Sequence, residues 1–419
     1  MMGRGYSLIQ RILVFLLTAM VALNVAARPA MALTEEQRFL AEVWRIVDRA
    51  YVDESFNHQN WWVVREKALK QPLESREQTY EVIQQMLTSL NDPFTRLLKP
   101  EQYRSLQTNT SGELTGVGLQ IAFDPQTNYL RVIAPIAGSP ADRAGLQPAD
   151  AILKIDGVAT TGLSLDEAAE RMRGPIGTRV TLTIQRQGET PTDLQLVRDR
   201  IELNPVLADL RTQPGPDGHE AKIGYIRLTQ FNANATAEVA HAINRLEQQG
   251  ASAYILDLRN NPGGLLQAGI ETARLWMDSG TIVYTVNRQG VEGSFEANGH
   301  ALTDDPLVVL VNQGTASASE ILAGALKDNG RAKIMGEKTF GKGLIQSLFD
   351  LSDGSGLAVT VARYETPAHH DINKLGIAPD VSVALDPIRT DQVGTPADRQ
   401  YWSAVQLLTA QESMVAGAA

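Results

Sequence analysis

Hydrophobic and polar positions change rhythm twice along this chain. From residue 34 to about 107 they fall near helical spacing. Phe39, Val43, Trp44, Ile46 and Val47 form one apolar stripe, and Tyr80, Ile83, Met86 and Leu87 another. Thr34-Glu35-Glu36 supplies a helix start. The aromatic residues of this stretch, Trp61 and Trp62 included, read as core. From Glu113 the pattern shortens to strand-like runs broken by Gly and Pro. Strands are expected at 129–133, 151–155 and 180–185, with a turn and short helix at 139–146. A helix is expected from Ser164 to Arg173, because Ser164 followed three residues later by Glu167 is a capping box. From about Ile201 short, wholly apolar runs at 223–228, 253–258, 307–311 and 333–335 alternate with helical patterns at 235–249, 266–277 and 317–327. Apolar runs of that length read as buried strands, so this is α/β texture. After Pro387 the chain turns polar and then helical around 397–411.

Length sharpens this division. A single core stops growing near ~250–300 residues, so 419 residues predict two or three domains. The boundaries expected are a signal peptide at 1–32, a helical N-terminal region at 33–112, a β-rich domain at 113–199, an α/β core at 200–387 and a helical tail at 388–419. The signal peptide rests on Arg4 and Arg11, the apolar stretch 12–25, and the small-x-small site Ala30-Met31-Ala32. It predicts export, with no stable membrane span after cleavage. Net charge of −10 and a pI near 5.2 give no basic footprint for nucleic acid. The absence of cysteine excludes disulfides, thiolate metal sites and a cysteine nucleophile.

The β-rich segment resembles a PDZ domain in the order of its motifs: Gly116-Val117-Gly118-Leu119-Gln120-Ile121, then Ser139-Pro140-Ala141-Asp142-Arg143-Ala144-Gly145-Leu146, then Ala151–Gly157, a helix and a strand. Such domains add a peptide to a sheet edge while backbone N–H groups hold its carboxylate. Glycines at 116 and 118 suit a loop whose N–H groups converge on an anion. Gly116, Val117, Gly118, Leu119 and Ile121 are therefore the expected peptide-binding residues, with Leu165 and Met172 completing a pocket for the last side chain. Ala149-Asp150 departs from the Gly-Asp common in that family, at a turn remote from the loop.

Three motifs in the α/β region carry candidate chemistry. Asn261-Pro262-Gly263-Gly264 comes after the run 253–258. Gly314-Thr315-Ala316-Ser317-Ala318-Ser319-Glu320 comes after 307–311 and opens a helix. Thr339-Phe340-Gly341-Lys342-Gly343 comes after 333–335. A serine between a strand and a helix start is exposed by its small neighbours and favoured by the helix dipole. None of the six histidines sits in a motif with a partner. A lysine can replace histidine as base when burial makes it neutral, and Lys342 lies between two glycines that let backbone close around it. The N–H groups of Gly263 and Ala318 form the natural oxyanion pair. Two alternatives remain: a Ser-His-Asp site using His369 or His370, and a phosphate loop. The second matches Gly336 to Lys342 but has Gly343 where Ser or Thr should hold Mg²⁺.

Together and in this order, PGG, GTASASE and FGKG after a PDZ pattern closely resemble the carboxyl-terminal processing peptidases, or tail-specific proteases, over nearly the whole chain after the signal peptide. The resemblance implies a crotonase-like β/α spiral core with an inserted PDZ-like domain. It implies a serine endopeptidase without cofactor or metal, with Ser317 as nucleophile and Lys342, 25 residues on, as general base. Gly263 and Ala318 fall on the oxyanion donors and Gln346 on a glutamine that orients the lysine. Asp328 falls on a supporting acidic position. Arg173, at the end of the PDZ helix, is expected to report the domain's position. The sequence is most similar to the photosynthetic branch, which implies the C-terminal extension of the photosystem II D1 precursor as substrate and the thylakoid lumen or periplasm as compartment. Other exported substrates, or a non-catalytic PDZ-containing assembly protein, are the alternatives.

Overall fold

The computed structural model describes residues 33–416, apart from 125, 126, 128, 215–219 and 385–387. The expected signal peptide lies outside the described residues. The chain divides into two units, one formed by residues up to 49 and 55–97, the other by 50–54 and everything from 98 onward.

The first unit is helical: α1 (Glu35–Ala50), α2 (Trp61–Leu69) and α3 (Arg76–Thr88). Thr34 starts α1 as expected, its hydroxyl accepting from the Gln37 N–H at 3.2 Å. Asn60 and Ser75 cap α2 and α3 in the same way. The two apolar stripes meet, with the Phe39 and Tyr80 rings 6.1 Å apart. One expectation is corrected. Trp61 is buried, but Trp62 is 61% exposed. Consecutive helical residues point about 100° apart, so one helix cannot turn both indoles inward. Trp62 packs on the outside of Trp44 instead.

After β1 (Arg96–Leu98), which ends the first unit, the second unit continues through α4 (Pro100–Ser111) into the β-rich domain. A ribbon of β2 (Glu113–Gly116) and β9 (Asp199–Glu202) closes that domain's ends. Between them lie β3 (Leu119–Phe123), β4 (Leu130–Pro135), α5 (Pro140–Arg143), β5 (Ala151–Ile155), β6 (Val158–Ala159), α6 (Leu165–Met172), β7 (Arg179–Gln185) and β8 (Thr192–Val197). The sheet runs β3-β4-β5-β7-β8, which leaves β3 at an edge beside α6. The Ser164–Glu167 capping box forms.

The core is built on a sheet of order β10-β11-β12-β15-β16-β19. Its strands are β10 (Val206–Pro214), β11 (Glu220–Leu228), β12 (Ala253–Asp257), β15 (Leu307–Val311), β16 (Lys333–Gly336) and β19 (Val381–Ser382). All pairs are parallel except β10 with β11. Alternate residues bury on opposite faces. Leu307, Val309 and Val311 pack with α7 (Ala235–Gln248), α8 (Leu266–Arg274) and α9 (Ala318–Asp328); Val308 and Leu310 pack with Tyr401, Ala404, Val405 and Leu408 of α10 (Arg399–Ala416). That two-sided burial is why these runs are apolar at every position.

The sequence reading missed a second, antiparallel sheet. It contains β13 (Thr281–Asn287), β14 (Gly290–Glu296), β17 (Leu344–Asp350) and β18 (Gly356–Glu365). β17 has no fully buried position and β13 is buried only in part, so their apolar signal is diluted by Thr, Ser and Gln, whereas β18 is mostly buried. Ile282 and Val283 of β13 and Tyr364 of β18 join the main core cluster. Among the described residues no helix is long and apolar enough to cross a membrane.

Candidate active site

The site forms where three strand ends meet. Ser317 sits between β15 and α9 as the helix N-cap, with φ 58° and ψ −119°. That backbone conformation is sterically costly for a residue with a Cβ, by about 1–3 kcal/mol, and needs surrounding structure to impose it. The restraint comes from several directions. The Ser317 N–H donates to Glu320 Oε2 at 2.9 Å, and the Ser317 carbonyl accepts from the N–H groups of Glu320 and Ile321. The Asn261 carbonyl accepts from the Ala316 N–H and the Ser319 hydroxyl, both at 3.0 Å.

Gly263 lies directly against this turn. A Cβ there would stand 2.7 Å from the Ala316 carbonyl oxygen, 2.8 Å from Ser317 Cβ and 2.9 Å from the Ala318 nitrogen, and its φ is +92°. Only glycine allows that approach. The structure therefore brings Gly263, Ser317 and Ala318 together. Ala318 is the first residue of α9, so its N–H has no partner within the helix. The Gly263 N–H donates to the Asn261 side-chain oxygen at 2.9 Å.

Lys342 arrives on the loop between β16 and β17. The Phe340 N–H donates to the Thr315 carbonyl at 3.0 Å, which fastens this loop to the serine turn. Backbone closes around both flanking glycines. A Cβ on Gly341 would meet Lys374 and Gly376 backbone at 3.0–3.1 Å, and one on Gly343 would stand 2.5 Å from the Asn373 nitrogen. Lys342 itself is half-buried. The chain after Lys342 enters strand β17, not a helix, so the phosphate-loop architecture is absent at this lysine.

Sequence reasoning assigned no role to Glu320, which joins these loops. Its side chain is fully buried and accepts four hydrogen bonds. Oε1 takes the Thr339 hydroxyl at 2.6 Å and the Gly341 N–H at 2.7 Å; Oε2 takes the N–H groups of Ser317 at 2.9 Å and Lys342 at 2.8 Å. One carboxylate thus fixes the backbone of both candidate catalytic residues. The signal was present, since Ser317 and Glu320 have capping-box spacing. A second buried network lies behind the Asn-Pro-Gly-Gly turn. Arg259 forms bidentate pairs with Asp257 and with Asp398, which stands just before α10. Burial pushes the Asp398 carboxyl up, but Arg259 and the Gly394 N–H pull it further down, to below the usual carboxylate range. No sequence motif links positions so far apart.

Gln346 lies on β17 opposite Thr360 and donates to its hydroxyl at 3.4 Å. Asp328 accepts from the Ala368 N–H at 3.0 Å and so holds the turn after β18. His369 stacks on Tyr284 at 4.3 Å between ring centres and contacts Glu365 at 3.2 Å, largely exposed. The His370 N–H lies 3.4 Å from the Thr366 hydroxyl. In the β-rich domain Gly118 has φ +76°, and a Cβ there would stand 2.3 Å from Ser139 Cβ. Gly116 passes close to the end of α6, where a Cβ would be 3.2 Å from the Met172 carbonyl. Val117 is buried in that domain's core, so only its backbone is available to a ligand. Leu119 and Ile121 are half-buried on edge strand β3, Met172 is buried and Leu165 is exposed. Arg173 pairs with Glu170 of its own helix at 2.8 Å.

These features match known proteins. Residues 222–383 match peptidase family S41, and residues 131–186 match the PDZ domain. A carboxyl-terminal-processing protease of Synechocystis sp. is 63% identical over 91% of this chain and 88% of that protein. The chloroplastic carboxyl-terminal-processing peptidase 2 of Arabidopsis thaliana is 48% identical over 89% of this chain and 74% of its own. Among solved structures, a photosystem II D1 C-terminal processing protease superposes with a TM-score of 0.57 at 44% identity, covering 87% of this chain and 99% of that one. The S41 match spans the strands that present Asn261, Ser317 and Lys342, and the PDZ match lies inside the β-rich domain before them: the chain belongs to peptidase family S41, among its PDZ-containing carboxyl-terminal-processing proteases.

Proposed function

We propose that this peptidase cleaves with a Ser317/Lys342 dyad and selects substrates by their free C-terminus. The observation that carries the dyad is the Glu320 carboxylate, which holds the Ser317 and Lys342 N–H groups on one oxygen atom. In the reaction, neutral Lys342 takes the proton from Ser317 Oγ as that oxygen attacks the scissile carbonyl. The N–H groups of Gly263 and Ala318 stabilise the oxyanion; for Gly263 this requires exchange of its bond to Asn261 for one to the oxyanion. The lysine then gives its proton to the leaving amine, and water resolves the acyl-enzyme with Lys342 again as base. Gln346 orients the lysine, and Asp328 supports the turn after β18. The β3 edge beside α6 receives the substrate tail as an added strand, with the loop 116–119 at its carboxylate. Arg173 reports the position of that domain to the core.

The substrate class is the C-terminal tail of exported proteins, the photosystem II D1 precursor foremost, in the thylakoid lumen or periplasm. The superposition on a D1-processing protease and the chloroplastic relatives support this reading. The test is Lys342→Ala, assayed on a peptide carrying the D1 precursor tail. Cleavage is expected to vanish while thermal unfolding stays cooperative; an active variant removes the dyad.

A further inference from the structure

β17 begins two residues after Lys342 and runs from Leu344 to Asp350, about 23 Å at ~3.3 Å per residue. Among the described residues it pairs with β18 along one edge and with no strand along the other. Open edges usually carry Pro, Lys or a bulge that blocks further pairing. β17 reads Leu-Ile-Gln-Ser-Leu-Phe-Asp, with its one charge at the far end. Its one irregularity lies between Ile345 and Gln346, at the lysine end, so residues 346–350 keep regular antiparallel register with 356–360.

Both ends of this edge are held in place. At the near end, the Tyr364 hydroxyl donates to the Lys342 carbonyl and the Tyr364 N–H to the Gly343 carbonyl, the latter at 3.1 Å. At the far end, the Tyr103 hydroxyl of α4 donates to Asp350 Oδ1 at 2.7 Å. The Tyr103 ring covers Gly356 across the hairpin, where a Cβ would stand 2.3 Å from it. The next residue of α4, Arg104, pairs with Glu170 of α6 at 3.4 Å. α6 in turn flanks the β3 edge. The open edge of β17 therefore leads from the lysine of the dyad to the helix that touches α6.

Resting on the dyad and tail-selection reading, we propose that the open edge of β17 is a second strand-addition site, occupied by the stretch of substrate between the scissile bond and the captured C-terminus. The occupant follows from the two ends. A tail held at β3 beside α6 and cut at Ser317 must pass from α6 to the dyad, and β17 spans from one to the other. Pairing through main-chain groups takes an extended tail without reading most of its side chains. It also fixes the register of the chain, and with it the scissile carbonyl relative to Ser317.

The experiment uses the full chain and a free-acid peptide carrying the D1 precursor tail, its scissile bond located by mass spectrometry of the wild-type products. In Ser317→Ala, photoleucine is placed at each position between that bond and the C-terminus, and the cross-linked residues are mapped. Adducts within 344–350 are expected from the positions nearest the bond; adducts confined to other segments overturn the proposal. With the wild-type chain, each backbone amide of the same stretch is N-methylated in turn. In an added strand only alternate N–H groups face the neighbour. N-methylation is therefore expected to lower kcat/KM about tenfold at alternate positions and within about twofold between them. A flat profile overturns the pairing even where adducts fall on β17. The underlying reading fails by other signs. Cleavage by Ser317→Ala removes the dyad, and equal cross-linking of free-acid and amidated peptides removes carboxylate selection; neither result depends on where the adducts fall.

Discussion

Ser317 adopts a backbone conformation that its side chain disfavours, and the cost is met by its bonds to Glu320 and Ile321 and by bonds from the Asn261 and Phe340 loops to its neighbours Thr315, Ala316 and Ser319. Glu320 is the centre of that convergence. Both of its oxygens accept, so no neutral replacement of equal shape can serve all four donors. Glu320→Gln turns an amide NH₂ toward two of them. The expected result is a stability loss of about 3 kcal/mol, seen in urea unfolding, together with a fall in labelling of Ser317 by a fluorophosphonate. Equal labelling in both proteins would show that the serine turn holds its shape without the carboxylate. Ser317 and Lys342 were legible in the sequence because glycine and small residues surround them. Tyr364 was not, since it stands in an ordinary strand and its contacts arise only when β18 folds back beside the Lys342 loop.

At the level of elements, the β-rich domain exposes one sheet edge, β3, beside a helix. The helix was readable in advance, because the Ser164 capping box is a local signal; the edge position of β3 was not, because strand order follows from pairing across the domain. The position of Gly118 adds a sharper test. Its left-handed φ and the 2.3 Å approach to Ser139 mean that any side chain must displace the loop. Gly118→Ala is expected to weaken binding of a free-acid tail peptide about tenfold or more by fluorescence polarisation, to the level of the amidated peptide. Equal affinity for both peptides in the wild-type protein would remove the carboxylate from the recognition scheme. Trp62 shows the limit of reading elements from composition: its helix buries one face, and its neighbour Trp61 occupies it.

Across the core, the Asp257–Arg259–Asp398 network joins the end of β12, just ahead of the Asn261-Pro262-Gly263 turn, to the segment that starts α10. Its acid response is set by Asp398, whose carboxyl is held below its ordinary range in the folded chain. Between the folded and unfolded pKa values the unfolded chain binds more protons. The stability it contributes is therefore fully present above the unfolded value of about 3.9 and lost as pH falls through the folded one. Asp398→Asn is expected to cost about 3 kcal/mol near neutral pH, with the gap to wild type closing in acid. Urea unfolding at a series of pH values measures it; a gap independent of pH would assign the loss to packing alone.

The sequence by itself determined the elements whose signals are local: the both-faces-buried strands, the capped helices, the glycine-lined turns and the residue types of the proposed dyad. It also carried the family resemblance that the relatives bear out, since short motifs in fixed order survive without knowledge of their contacts. Tertiary structure alone decided what depends on residues distant in the chain. The antiparallel sheet is set by pairing between hairpins, and its strand β17 has no fully buried residue to announce it. Glu320 reaches Lys342 across 22 residues, Tyr364 reaches Lys342 across the same span, and Asp398 reaches Arg259 across 139. Hydrogen bonds of that kind leave no periodicity in the sequence, because their partners are fixed by the packing of whole elements and not by neighbours along the chain.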